Sequence, residues 1–123
     1  DPIQYFGMLS MEMHRAIRLV VDTGIHSKGW TREKAIQYSL ENEAASEESI
    51  IAEIERYMAT PGQALSYKMG QIKIRELRTK AELALGENFD IRAFHSQILN
   101  SGSLPLVLLE EKIENWMGSE QQN

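Results

Sequence analysis

The stretch Met8-Leu-Ser-Met-Glu-Met-His-Arg-Ala-Ile-Arg-Leu-Val-Val-Asp-Thr-Gly24 decides the fold class. Leu9, Met13, Ala16, Ile17, Val20 and Val21 recur at spacings of three and four, the signature of a helix with one buried face. Gly24 then supplies a stop, because glycine tolerates the left-handed conformation that ends helices. This predicts a first helix over about 9 to 23. The same grammar continues outward. Thr31 caps a second helix whose apolar face is Ala35, Ile36 and Leu40. Ser46 caps a third, with Glu47 and Glu48 at its positive end and Ile50, Ile51, Ile54, Tyr57 and Met58 on its buried side.

Thr60-Pro61-Gly62-Gln63 reads as a capping box with proline at the first helical position, opening a fourth helix over Pro61 to about Leu85. Asp90 caps a fifth through Asn100, and Pro105 opens a sixth through about Met117. Strand signals are nearly absent: no Asn-Gly or Asp-Gly turn is flanked by alternating apolar residues. Short connections between about six helices imply an antiparallel all-α assembly over residues 1–118, with 119–123 as a frayed tail.

The composition agrees. The chain has 123 residues, 42% hydrophobic and 25% charged, enough to bury roughly two-thirds of its unfolded surface in a core. It has no cysteine, which excludes disulfides and thiolate metal sites. Its formal net charge is −5. The acidic excess sits in Glu41–Arg56, where Glu41, Glu43, Glu47, Glu48, Glu53 and Glu55 face one base. Lys68, Lys73, Arg75, Arg78 and Lys80 form one basic cluster, but a net acidic domain is a poor binder of nucleic acid, and no such partner is expected. No apolar run approaches the ~20 residues that span a bilayer. The start at Asp1-Pro2-Ile3, without methionine, suggests a processed product or a piece of something longer.

Few residues point to chemistry. His14, Arg18 and Asp22 are spaced four apart on the first helix and form a polar ladder inside an apolar segment. Two readings stand: an internal Arg18–Asp22 ion pair, or a polar stripe facing a cleft or another domain. His26 lies in the loop Gly24-Ile-His-Ser-Lys-Gly-Trp30, where a histidine serves as acid, hydrogen-bond donor, ligand or ordinary surface residue. Tyr67 and Gly70 fall near the start of the fourth helix, and the glycine leaves room for another element or for a substrate. The three histidines are far apart and no His-Glu-x-x-His segment occurs, so no zinc site within the chain is expected.

The blocks Arg15-Ala-Ile-Arg-Leu-Val-Val-Asp-Thr-Gly-Ile-His-Ser-Lys-Gly-Trp30, Pro61-Gly-Gln-Ala-Leu-Ser-Tyr-Lys-Met-Gly70 and Gly102-Ser-Leu-Pro-Leu106 carry a resemblance. Over residues 1 to 117 the chain resembles the C-terminal portion of the bacterial domain-of-unknown-function 885 family. That family is similar to helical zinc peptidases of the gluzincin type. Its metal signature, a His-Glu-x-x-Pro-Gly-His segment, lies N-terminal to the part seen here.

The resemblance implies one half of an active-site cleft in a larger peptidase-like fold. His26 and Tyr67 would be catalytic, donating hydrogen bonds to an oxyanion. Arg18, Arg15 and Gln63 would bind the peptide substrate. Zinc would belong to the full-length parent, an active peptidase, while this chain alone would hold no metal and be inactive. Its partners would be the N-terminal remainder of the parent and a second copy meeting it through exposed apolar helix faces. The parent would be bacterial and exported, lipid-anchored or cytoplasmic. The competing expectation is a non-enzymatic helical interaction or scaffold domain.

Overall fold

In a computed structural model that describes residues 1–121, the chain is all-helical, with six α-helices and no strand among the described residues. They are α1 (Pro2–Lys28), α2 (Arg32–Asn42), α3 (Glu47–Ala59), α4 (Ser66–Leu85), α5 (Ile91–Leu99) and α6 (Leu106–Glu120), with 3₁₀ turns at Gln63–Leu65 and Gly86–Asn88. No helix among the described residues is long and apolar enough to cross a membrane. The chain forms two compact units, Asp1–Met69 and Gly70–Asn123.

In the first unit α1, α2 and α3 pack on one another. Ile17 and Val21 of α1, Ala35 and Ile36 of α2, and Ile50, Ile54 and Tyr57 of α3 meet in its core, closed by Ala64 of the 3₁₀ turn. Burying each large aliphatic side chain contributes ~1.5–3 kcal/mol, more than helix propensity supplies over the same residues. In the second unit Leu77, Ala81 and Leu85 pack with Phe94 and with Leu109, Ile113, Trp116 and Met117.

Most caps follow the sequence. The Thr31 hydroxyl accepts from Lys34 N at 3.2 Å, Ser46 from Ser49 N at 3.3 Å, and Asp90 from Arg92 N at 2.8 Å. Three helices differ in their boundaries. The first helix begins at Pro2, capped by Asp1, and runs past Gly24 to a left-handed Gly29. Gly24 stays helical because its missing side chain is needed by Trp30: a Cβ there would stand 2.5 Å from the indole.

The Thr60 hydroxyl turns back to Arg56 O at 2.8 Å and ends α3 instead of opening α4. A 3₁₀ turn begun at Gly62 (φ 81°) follows, and the α-helix starts only at Ser66. The last helix continues past Gly118 to Glu120, and the Gln121 amide donates to Ala84 O at 3.0 Å. Of the expected frayed tail, residues 122 and 123 lie outside the described residues.

Candidate functional site

Arg15 and Arg18 are one helical turn apart on α1 and share an aromatic neighbour. The Arg15 guanidinium carbon stands 5.3 Å from the centre of the Tyr67 ring, and that of Arg18 stands 5.7 Å from it. Arg18 also stands 5.5 Å from the ring of Tyr57 on α3. The two tyrosines differ: Tyr57 is buried, whereas Tyr67, in the first turn of α4, is 65% exposed. Each cation–ring contact is worth ~0.5–2 kcal/mol, and the planar guanidinium suits both the rings and a carboxylate.

The arginines differ as well. Arg15 has Glu12 Oε1 at 3.6 Å, and the other Glu12 oxygen takes Lys68 Nζ at 2.8 Å. Arg18 has no acidic partner among the described residues, and its Nε is enclosed without a hydrogen bond. The structure therefore gathers three of the five expected site residues around one uncompensated cation.

Asp22 does not pair with Arg18. It is buried, and its two oxygens accept from Gly62 N at 3.2 and 3.1 Å. His14 likewise turns elsewhere, its Nδ1 lying 2.7 Å from Glu43 Oε2. The ladder expected from the sequence therefore comes apart: His14 turns to Glu43, Arg18 to Tyr57 and Tyr67, and Asp22 to Gly62.

His26 lies in the last turn of α1 and not in a loop, because the helix continues past Gly24, and its Nε2 stands 2.9 Å from Tyr57 O. A carbonyl oxygen only accepts, so Nε2 carries the proton and, in the neutral ring, Nδ1 keeps a lone pair. Gln63 is held by the turn: its Oε1 accepts from Arg56 Nη1 at 2.7 Å. Gly70 leaves open space, with nothing within 4 Å of a Cβ built there.

Tyr57 is the residue that sequence reasoning treated as core alone. Its hydroxyl donates to Glu53 Oε2 at 2.7 Å, and Glu53 also accepts two bonds from Arg56. The Arg56 bonds hold the Glu53 carboxyl below the usual carboxylate range. Burial, followed by the bond to Glu53, pushes the Tyr57 phenol above its ordinary value. A tyrosine four residues after a glutamate on a helix carries half of this signal; the carbonyl bond to His26 and the Arg18 contact come only with tertiary structure.

Among the described residues no group of three or more His, Cys, Asp or Glu is arranged to hold a metal ion. What the arrangement can do is bind an anion: a planar cation without a counter-charge, a second cation one turn away, and an exposed phenol beside both.

The family described as "Bacterial protein of unknown function (DUF885)" matches residues 1–113. Among solved structures, the crystal structure of the putative lipoprotein from Colwellia psychrerythraea matches with a TM-score of 0.94 and 48% identity. The match covers 97% of this chain and 20% of that one, so the chain spans about a fifth of the length of the protein it resembles. No curated protein matches it. With nearly its whole helical length inside the family match, the chain belongs to the bacterial DUF885 family.

Proposed function

We propose that this chain is the substrate-anchoring part of a longer bacterial zinc peptidase. Arg18, assisted by Arg15, binds a carboxylate of the peptide, and the Tyr67 hydroxyl donates to the oxyanion that forms at the attacked carbonyl. The observation that carries this reading is Arg18, a guanidinium between two tyrosines with an enclosed Nε and no acidic partner. His26 enters as a positioning residue, since its Nε2 proton is committed to Tyr57 O; it donates to an oxyanion only as an imidazolium, through Nδ1. Gln63 contributes its amide nitrogen, its oxygen being taken by Arg56.

In this reading zinc and its ligands belong to the N-terminal remainder of the parent, and this chain by itself cleaves nothing. The parent is exported and lipid-anchored, a placement supported by the name of the Colwellia protein. The test uses the longer parent protein. Arg18→Ala should raise KM for peptides with a free C-terminal carboxylate and spare amidated analogues. Absence of zinc-dependent peptide cleavage by the parent would overturn the reading.

One observation favours an interaction module instead. The first half of α1 exposes Ile3, Tyr5, Phe6, Met8, Leu9, Met11 and Met13, each at 46% or more. An apolar face of that kind takes either the remainder of the parent or a second copy. Light scattering of this chain separates them: a concentration-dependent dimer indicates self-association, and a strict monomer assigns the face to the parent.

A further inference from the structure

Arg15 is less masked than its neighbour Glu12 suggests. Glu12 lies one turn before it on the same face of α1, but the firm bond of that carboxylate goes elsewhere. Lys68 Nζ donates to Glu12 Oε2 at 2.8 Å, while Oε1 stands 3.6 Å from Arg15 Nη1, outside hydrogen-bond reach. Lys68 follows Tyr67 in the first turn of α4, so the turn that brings the ring also draws Glu12 away from Arg15. Asp22, the next acid along α1, gives both oxygens to the Gly62 N–H.

The two guanidiniums also converge. Their carbons stand 5.3 and 5.7 Å from the centre of one ring, that of Tyr67, and both side chains are partly exposed. A single carboxylate fills one planar fork. A peptide whose last residue is neutral therefore covers the second guanidinium without supplying an anion, and one ending in Lys or Arg sets like charges together. A C-terminal Asp or Glu carries two carboxylates on one residue. Three residues of helix rise only ~4.5 Å, a step that those two carboxylates span.

We propose that the site selects peptides ending in Asp or Glu, with Arg18 binding the α-carboxylate and Arg15 the side-chain carboxylate. The division follows from the surroundings. Arg18 is held between two rings with its Nε enclosed, and it meets the group that every free C-terminus presents. Arg15, with one ring contact and 35% of its side chain exposed, meets the part that varies. This specificity rests on the peptidase reading.

Acetylated tetrapeptides that differ only in a C-terminal Glu, Gln or Lys are offered to the longer parent protein with zinc. kcat/KM should be at least about tenfold higher for Glu than for its neutral isostere Gln, and lowest for Lys. Arg15→Gln should bring the Glu-to-Gln ratio close to one, and Arg15→Glu should reverse the order so that Lys outruns Glu. These ratios do not depend on the fraction of protein folded, and misfolding cannot reverse a preference. Equal cleavage of the Glu and Gln peptides by the unaltered parent overturns the specificity and leaves the peptidase reading standing. A preference for Glu that survives Arg15→Gln overturns the role given to Arg15. Absence of zinc-dependent cleavage of all three peptides overturns both.

Discussion

Asp22 and Gly62, forty residues apart, are joined by a part-buried contact: both carboxylate oxygens of the buried Asp22 accept the Gly62 N–H, at 3.1 and 3.2 Å. Gly62 begins the 3₁₀ turn that leads into α4, and its φ of 81° makes that turn possible. The bond therefore ties the middle of α1 to the place where Tyr67 enters the site. Asp22 acts as a cap supplied from a distance, and the turn's orphan N–H is satisfied by it.

Asp22→Ala should destabilise the chain by about 1–3 kcal/mol, because a part-buried hydrogen bond from the Gly62 N–H to a charged acceptor is lost. Asp22→Asn keeps an acceptor oxygen and should recover most of that loss. Urea unfolding of the two variants decides the matter. Equal losses in both would mean that the negative charge itself is required, as an ion pair with Arg18 would demand.

Tyr57 and Glu53 give opposite pH signatures. The Tyr57 pKa is raised from its ordinary 10.0, so its contribution is complete below about pH 10 and is lost as pH rises through the folded value. The Glu53 pKa is lowered from 4.5, so its contribution is present above that pH and is lost as pH falls through the folded value. Near-ultraviolet titration should show one tyrosine ionising later than the others, and Tyr57→Phe should remove it. A wild-type titration without the late step would contradict the buried hydroxyl.

Two helical glycines should respond in opposite directions to alanine. At Gly24 the new methyl would meet Trp30 at 2.5 Å, and the indole must move, so overpacking of about 1–3 kcal/mol outweighs the ~1 kcal/mol gained in propensity. At Gly70 nothing lies within 4 Å, and Gly70→Ala should stabilise by about 0.5–1 kcal/mol. Thermal unfolding of both variants checks the sign. Stabilisation at both positions would show that Trp30 adapts freely.

These glycines also mark how far the sequence could be read. The caps at Thr31, Ser46 and Asp90 were legible because a cap bonds to an N–H two or three residues away. Gly24 read as a helix end because its true reason is an indole six residues on, folded back so that Trp30 N meets Gly24 O at 2.9 Å. Thr60 read as an N-cap because the competing acceptor, Asp22, lies in another helix. The site shows the same division. Arg15 and Arg18 share a face by spacing alone, whereas Tyr67 needed a family resemblance. The linking role of Tyr57 was invisible, because one buried ring looks like any other until the arginine beside it is placed.

Arg18 should prove dispensable for folding. Replacing it by Met retains length and apolar packing, loses two cation–ring contacts worth ~0.5–2 kcal/mol each, and removes an enclosed unpaired Nε whose desolvation costs ~1–3 kcal/mol. The opposing effects are of similar size, so Arg18→Met should change stability by no more than about 1 kcal/mol. It should also raise the Tyr57 pKa further, because the Arg18 charge now favours the phenolate. A loss of several kcal/mol would make Arg18 a structural residue. Near-neutral stability with a later tyrosine titration means that the chain keeps a charge it does not need for folding, and such a charge is available to a ligand.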